Sequence, residues 1–182
     1  MKITLPKPWP EFLADVDKGL DQRVDLHCVG GFILVVLYGA PRTTSDLDYI
    51  SIRPSEAAKK IDAIAGRDSR LANKYKVFLQ GVGVADFPAD YEIRLQKLEL
   101  KPRNLCLWAL DPYDLILSKL TRNSPTDMED VKFLAKKLKL QFTTLYSRWE
   151  QELKPYVERT AWHEQTLNVV WRDYFASTAE NR

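Results

Sequence analysis

Between Cys28 and Ile52 the chain reads CVGGFILVVLYGAPRTTSDLDYISI, and the paired glycines in it constrain the fold more than any other feature. Gly30-Gly31 closes a short apolar run beginning at Val24 and opens a longer one, Phe32 to Tyr38. That order predicts a strand, a tight turn and then a helix of about two turns. Glycine lets a bulky group approach the main chain, and a helix start presents unpaired N–H donors with a partial positive charge. Such a corner suits phosphate.

About fifteen residues further on, Asp46-Leu47-Asp48 leads into the strand-like Tyr49-Ile50-Ser51-Ile52. Strand side chains alternate between faces, so the two aspartates share one side and Leu47 is buried on the other. Two neighbouring carboxylates repel unless a cation lies between them. Hard oxygen donors of this kind suit Mg²⁺ or Mn²⁺, which take one or two carboxylates and complete the shell from substrate phosphates. Arg42, Thr43, Thr44 and Ser45 fill the interval. The hydroxyls suit phosphate or local capping, and the guanidinium suits phosphate or a nearby acid.

The order GG, a helix ending in YG, then R-x-T-x-D-L-D and a hydrophobic strand resembles the nucleotidyltransferases of the DNA polymerase beta-like superfamily. More narrowly, it is similar to the small branch that includes abortive-infection and toxin–antitoxin nucleotidyltransferases. The resemblance implies a mixed sheet, nucleotidyl transfer from an NTP, and a divalent ion at Asp46 and Asp48. Gly30, Gly31, Arg42 and Thr44 would then be nucleotide-binding. A third carboxylate is expected on a neighbouring strand, with Asp86 and Glu92 as candidates.

The 182 residues suffice for one sizeable domain, or a core with an appended lobe. A hydrophobic fraction of 45% beside 29% charged residues is that of an ordinary soluble protein. No apolar run approaches a membrane span, and MKITLPKPWP has prolines where a signal peptide needs its apolar core, so a cytoplasmic protein is expected. Cys28 and Cys106 are far apart, as are His27 and His163. That spacing argues against a disulfide framework or a zinc site. His27 reads as a structural residue on the first strand. The net charge of +2 does not by itself argue for nucleic acid, although Lys132, Lys136, Lys137, Lys139 and Arg148 cluster in one helical region.

Apolar spacing predicts a helix over 9–21, a strand over 24–29, a helix from Ser55, a short helix at LANKY, and a strand with a bulge or bend from Lys76. Leu95–Leu100 and Leu105–Leu110 flank a turn at Lys101-Pro102-Arg103-Asn104 and read as a hairpin. Helices follow from Asp111 to Asn123, from Ser124-Pro125-Thr126 onward, over 141–156 and over 158–176. For the second of these, the cap is Thr126 or Ser124, with Glu129 at capping-box spacing from Thr126. The expected class is α+β: a mixed sheet of about five strands flanked by helices, then a C-terminal helical lobe. Residues 1–110 would be the catalytic core and 111–182 a lobe packed on it.

A second constellation is SKLTRNSPTDMED at 118–130. Lys119 and Arg122 share a helix face, and Asp127 and Asp130 share a face of the next helix. Spacing alone reads as interhelical ion pairs at the solvent edge. The resemblance implies more: Lys119 on the NTP phosphates with Arg122, and Asp127 or Asp130 orienting that lysine or the attacking group. The acceptor hydroxyl is left open between RNA such as tRNA and protein, and an antitoxin protein is an expected partner. Two other readings stand beside these: a catalytically degenerate nucleotide-binding or protein-interaction member, and a nucleic-acid-binding module using the basic helices and aromatics.

Overall fold

Val24–Val29 (β1) is buried along most of its length, as a strand flanked on both sides by other strands must be. The computed structural model describes residues 3–83 and 85–175, which divide into two units, one of 3–83 with 95–110 and one of 85–94 with 111–175. In the first unit, the described strands are β1, Asp46–Arg53 (β2), Phe78–Gly81 (β3), Gln96–Lys97 (β4) and Leu105–Ala109 (β5). They form a mixed sheet in the order β3-β2-β1-β5-β4. β1 is antiparallel to β2 and parallel to β5, β2 is parallel to β3, and β4 is antiparallel to β5. The class is α+β, with the hairpin at its expected place, although its first arm is only two residues long.

The helices of this unit are Trp9–Lys18 (α1), Gly30–Tyr38 (α2), Ala58–Ala65 (α3) and Arg70–Tyr75 (α4). α1 buries Trp9, Phe12, Leu13 and Val16, each worth roughly 1.5–3 kcal/mol of transfer free energy. Trp9 meets Phe32 of α2 edge-on at 4.6 Å, which joins the two helices. Asp17 Oδ1 accepts from the main-chain N–H of Asn104 and of Leu105, both at 2.7 Å, and so anchors the start of β5 to α1. β3 is shorter than the sequence predicts, because after Gly81 the chain makes one last bond, from Val82 N–H to Tyr49 O, and leaves the sheet.

In the second unit, Pro112–Arg122 (α5), Pro125–Leu138 (α6), Phe142–Arg148 (α7) and Thr160–Val170 (α8) carry the fold. The cap of α6 is Ser124, not Thr126, and its reciprocal partner is Asp127, not Glu129. Pro125 explains the choice, since proline favours the first helical position and leaves the preceding residue as cap. The helix expected over 141–156 widens into a π turn at Trp149–Leu153, which buries Trp149 and Leu153. The one expected over 158–176 runs from Thr160 through Phe175, widening at Trp171–Phe175, while residue 176 lies outside the described residues. Residues 85–94 belong with these helices through Arg94. Its guanidinium bonds Asp114 at 2.9 Å and Glu152 at 2.6 Å, and Arg148 bonds Asp111 and Asp114 at 2.6 and 2.9 Å. Among the described residues no helix is long and apolar enough to cross a membrane.

Candidate active site

Val29 ends β1 in extended backbone, and Gly30 turns the chain at φ +74°, a region that L side chains rarely adopt. β1 and β2 place Val29 opposite Asp48, so the turn lies against that carboxylate. A side chain on Gly30 would put its Cβ 2.6 Å from Asp48 Oδ2. One on Gly31 would lie 3.0 Å from an Arg42 guanidinium nitrogen and 3.4 Å from Thr44 Oγ1. The glycines are therefore space as well as flexibility. α2 begins here with no side-chain cap on its first turn, so the partial positive charge of its N-terminal end lies beside the Asp48 carboxylate.

The carboxylates are set by the strand and by one hydroxyl. Leu47 is fully buried, while Asp46 and Asp48 are half-buried on the opposite face. Thr44 Oγ1 donates to Asp46 Oδ1 at 2.7 Å and lies within 3.0 Å of the Asp46 carbonyl oxygen. Gly30, Gly31, Arg42, Thr44, Asp46 and Asp48 are thus one cluster. Its oxygen donors, two carboxylates on one face, fit a hard divalent ion, and the helix N-terminus beside them suits the ion's anionic partner. Among the described residues no three His, Cys, Asp or Glu side chains gather as a metal group, so phosphate and water would complete any such shell.

β3 adds a residue that the motif did not reveal. Its register with β2 sets Gln80 level with Asp48 and Phe78 level with Asp46. Asp86 and Glu92 fall elsewhere, Asp86 in a non-strand stretch and Glu92 in the 3₁₀ turn Tyr91–Arg94, both in the helical unit. The register of two parallel strands separated by helices has no local signature, and so sequence alone could not pick out Gln80.

In the helical unit, Lys119 is 4% exposed, and its Nζ lies 3.2 Å from Asp127 Oδ1 and 2.7 Å from Asp130 Oδ2. Arg122 Nε donates to Asp127 Oδ2 at 2.7 Å, and Ser124 Oγ to the same oxygen at 2.6 Å. Burial opposes ionisation of Asp127, but Arg122, Ser124 and Lys119 outweigh it and hold its carboxyl well below the usual range. The four charged residues are brought together as spacing predicts, but Lys119 and Asp127 are buried rather than at a solvent edge. The basic region divides: Lys132, Lys136, Lys137 and Lys139 are exposed, whereas Arg148 turns inward to Asp111 and Asp114. His27 is buried, and burial pushes the Cys28 thiol far up, which leaves it inert.

Comparison with curated proteins and with solved structures finds no match. The family model described as a nucleotidyltransferase of unknown function (DUF6036) matches residues 11–178, and with that span covering most of its length the chain belongs to this family.

Proposed function

We infer that the chain transfers a nucleoside monophosphate from an NTP to an acceptor hydroxyl, with Asp46 and Asp48 holding Mg²⁺ or Mn²⁺. Bound there, the ion would neutralise charge on the phosphate oxygens. The backbone N–H groups at Gly30 and Gly31 bind the triphosphate, and Arg42 and Thr44 orient it and Asp46. The acceptor hydroxyl attacks the α-phosphorus in line, the bond to the bridging oxygen breaks, and pyrophosphate leaves. Lys119, Arg122, Asp127 and Asp130 form a second charged group within the helical unit, where Asp127 and Asp130 hold the Lys119 ammonium. RNA such as tRNA, or a protein hydroxyl, is the acceptor class, and the toxin of a toxin–antitoxin or phage-defence pair, acting in the cytoplasm, is the biological setting.

The observation that carries this reading is the corner itself: an Asp48 oxygen lies in the space that a Gly30 side chain would need. A fold could hold a turn and a D-x-D apart, but here the strand register joins them. A nucleotide-binding member without turnover is the second reading, favoured by Gln80, a neutral amide, level with Asp48. Incubation with each α-labelled NTP, Mg²⁺, and extracts of RNA and protein separates the two. Label in RNA or protein supports transfer, whereas binding by calorimetry without label transfer supports the second reading.

A further inference from the structure

The face that carries Asp46 and Asp48 continues onto β3, and there it holds a cation. Phe78 and Gln80 lie level with the two aspartates, while Leu47 and Leu79 pair on the buried side. Arg67, in the turn between α3 and α4, lies across this stretch. Its guanidinium carbon is 4.3 Å from the centre of the Phe78 ring, and one terminal nitrogen donates to Gln80 Oε1 at 3.0 Å. The turn that delivers it is tight, since a Cβ on Gly66 would fall 2.5 Å from the Asp62 carbonyl oxygen. Arg67 is exposed, yet stacking and one hydrogen bond fix its plane. Its hydrogen-bond partner is a neutral amide, and among the described residues no carboxylate pairs with it. Most of its N–H donors are left open beside two carboxylates that would bring a metal-bound anion.

We propose that Arg67, aimed by Phe78 and Gln80, is a second phosphate-binding cation, on the β3 side of the carboxylates where the glycine corner is on the β1 side. The proposal rests on the reading of Asp46 and Asp48 as a nucleotidyl-transfer site. Its ligand is a phosphate oxyanion held by the planar fork of the guanidinium, and two sources supply that chemistry: the triphosphate of the nucleotide and the phosphodiester backbone of an RNA acceptor.

Two titrations of the whole chain distinguish the sources: calorimetry with inorganic tripolyphosphate in Mg²⁺ buffer, and fluorescence anisotropy with a labelled oligoribonucleotide in the same buffer. Arg67→Ala weakens at least one of them about tenfold, the loss of a charge-assisted hydrogen-bond pair. Arg67→Lys restores only part of that. Gln80→Glu, which sets a carboxylate against the guanidinium, weakens the same ligand and decides the matter if Arg67→Ala does not fold. Loss confined to tripolyphosphate assigns Arg67 to the nucleotide, and loss confined to RNA assigns it to the acceptor. Wild-type protein that binds neither, or folded variants that bind both as tightly as wild type, overturns the proposal. Label transfer by wild type and its loss in Asp48→Asn report on the underlying reading separately.

Discussion

Replacing Gly30 with alanine tests the corner, because two costs fall on one methyl group. The first is backbone strain: at φ +74° an L residue is disfavoured by about 1–2 kcal/mol. The second is the clash with Asp48 Oδ2 at 2.6 Å, which must open by about 0.8 Å to reach ordinary van der Waals distance. Gly39→Ala is the matched control. Gly39 has φ +67° and no heavy atom within 4 Å of its would-be Cβ, so that substitution carries strain alone. Both variants should therefore melt lower, by about 2–4 °C for each kcal/mol lost in a chain of this size. Transfer of label from an α-labelled NTP should separate them. Displacing a reacting group by this distance costs about 100-fold, so Gly30→Ala falls by that much while Gly39→Ala stays near wild type. Equal transfer by the two variants would refute the claim that the glycine makes room for the carboxylate.

Lys119→Met should lower the urea midpoint by an amount equivalent to about 3 kcal/mol, because it leaves Asp130 buried without its cation, and a variant as stable as wild type would deny that the cluster holds the helices together. The Asp127 carboxyl is held below its ordinary value, so its stabilisation is complete above about pH 4 and is lost as pH falls through the lower folded value. Urea unfolding should therefore show wild type well above Asp127→Asn at pH 6, with the gap beginning to narrow as pH falls below about 4. His163 is 6% exposed and packed at 5.6 Å from Trp149 and 4.9 Å from Trp162, and burial lowers its pKa. The unfolded chain then takes up a proton that the folded one refuses, so stability present above about pH 6.5 declines below it, and His163→Gln should flatten that decline in the same assay.

The glycine corner was legible because each of its parts has a local signal. A strand that meets two glycines must turn, an apolar run after them must be helical, and alternation places Asp46 and Asp48 on one side whatever else the fold does. The charged group in the helical unit was legible for a similar reason, since i, i+3 spacing fixes which side chains share a face. Other features depend on distant pairing. Gln80 sits beside Asp48 because β3 returns parallel to β2 after two helices, and nothing within FLQG announces that register. Arg67 reads as an ordinary loop cation until Phe78 and Gln80 are seen beneath it. Residues 85–94 follow the sheet strands in sequence but group with the helices, because Arg94 reaches Asp114 and Glu152. The cap of α6 was locally decidable, and Pro125 is the residue that decides it.

The central claim is that Asp46 and Asp48 do the chemistry beside the glycine corner. Its most direct test is label transfer by Asp46→Asn and Asp48→Asn, each matched to wild type in unfolding temperature. Loss of the charge that holds a divalent ion should cost several kcal/mol of transition-state stabilisation, which is about 10³-fold in rate, with the fold unchanged. Full turnover by either folded variant would contradict the account.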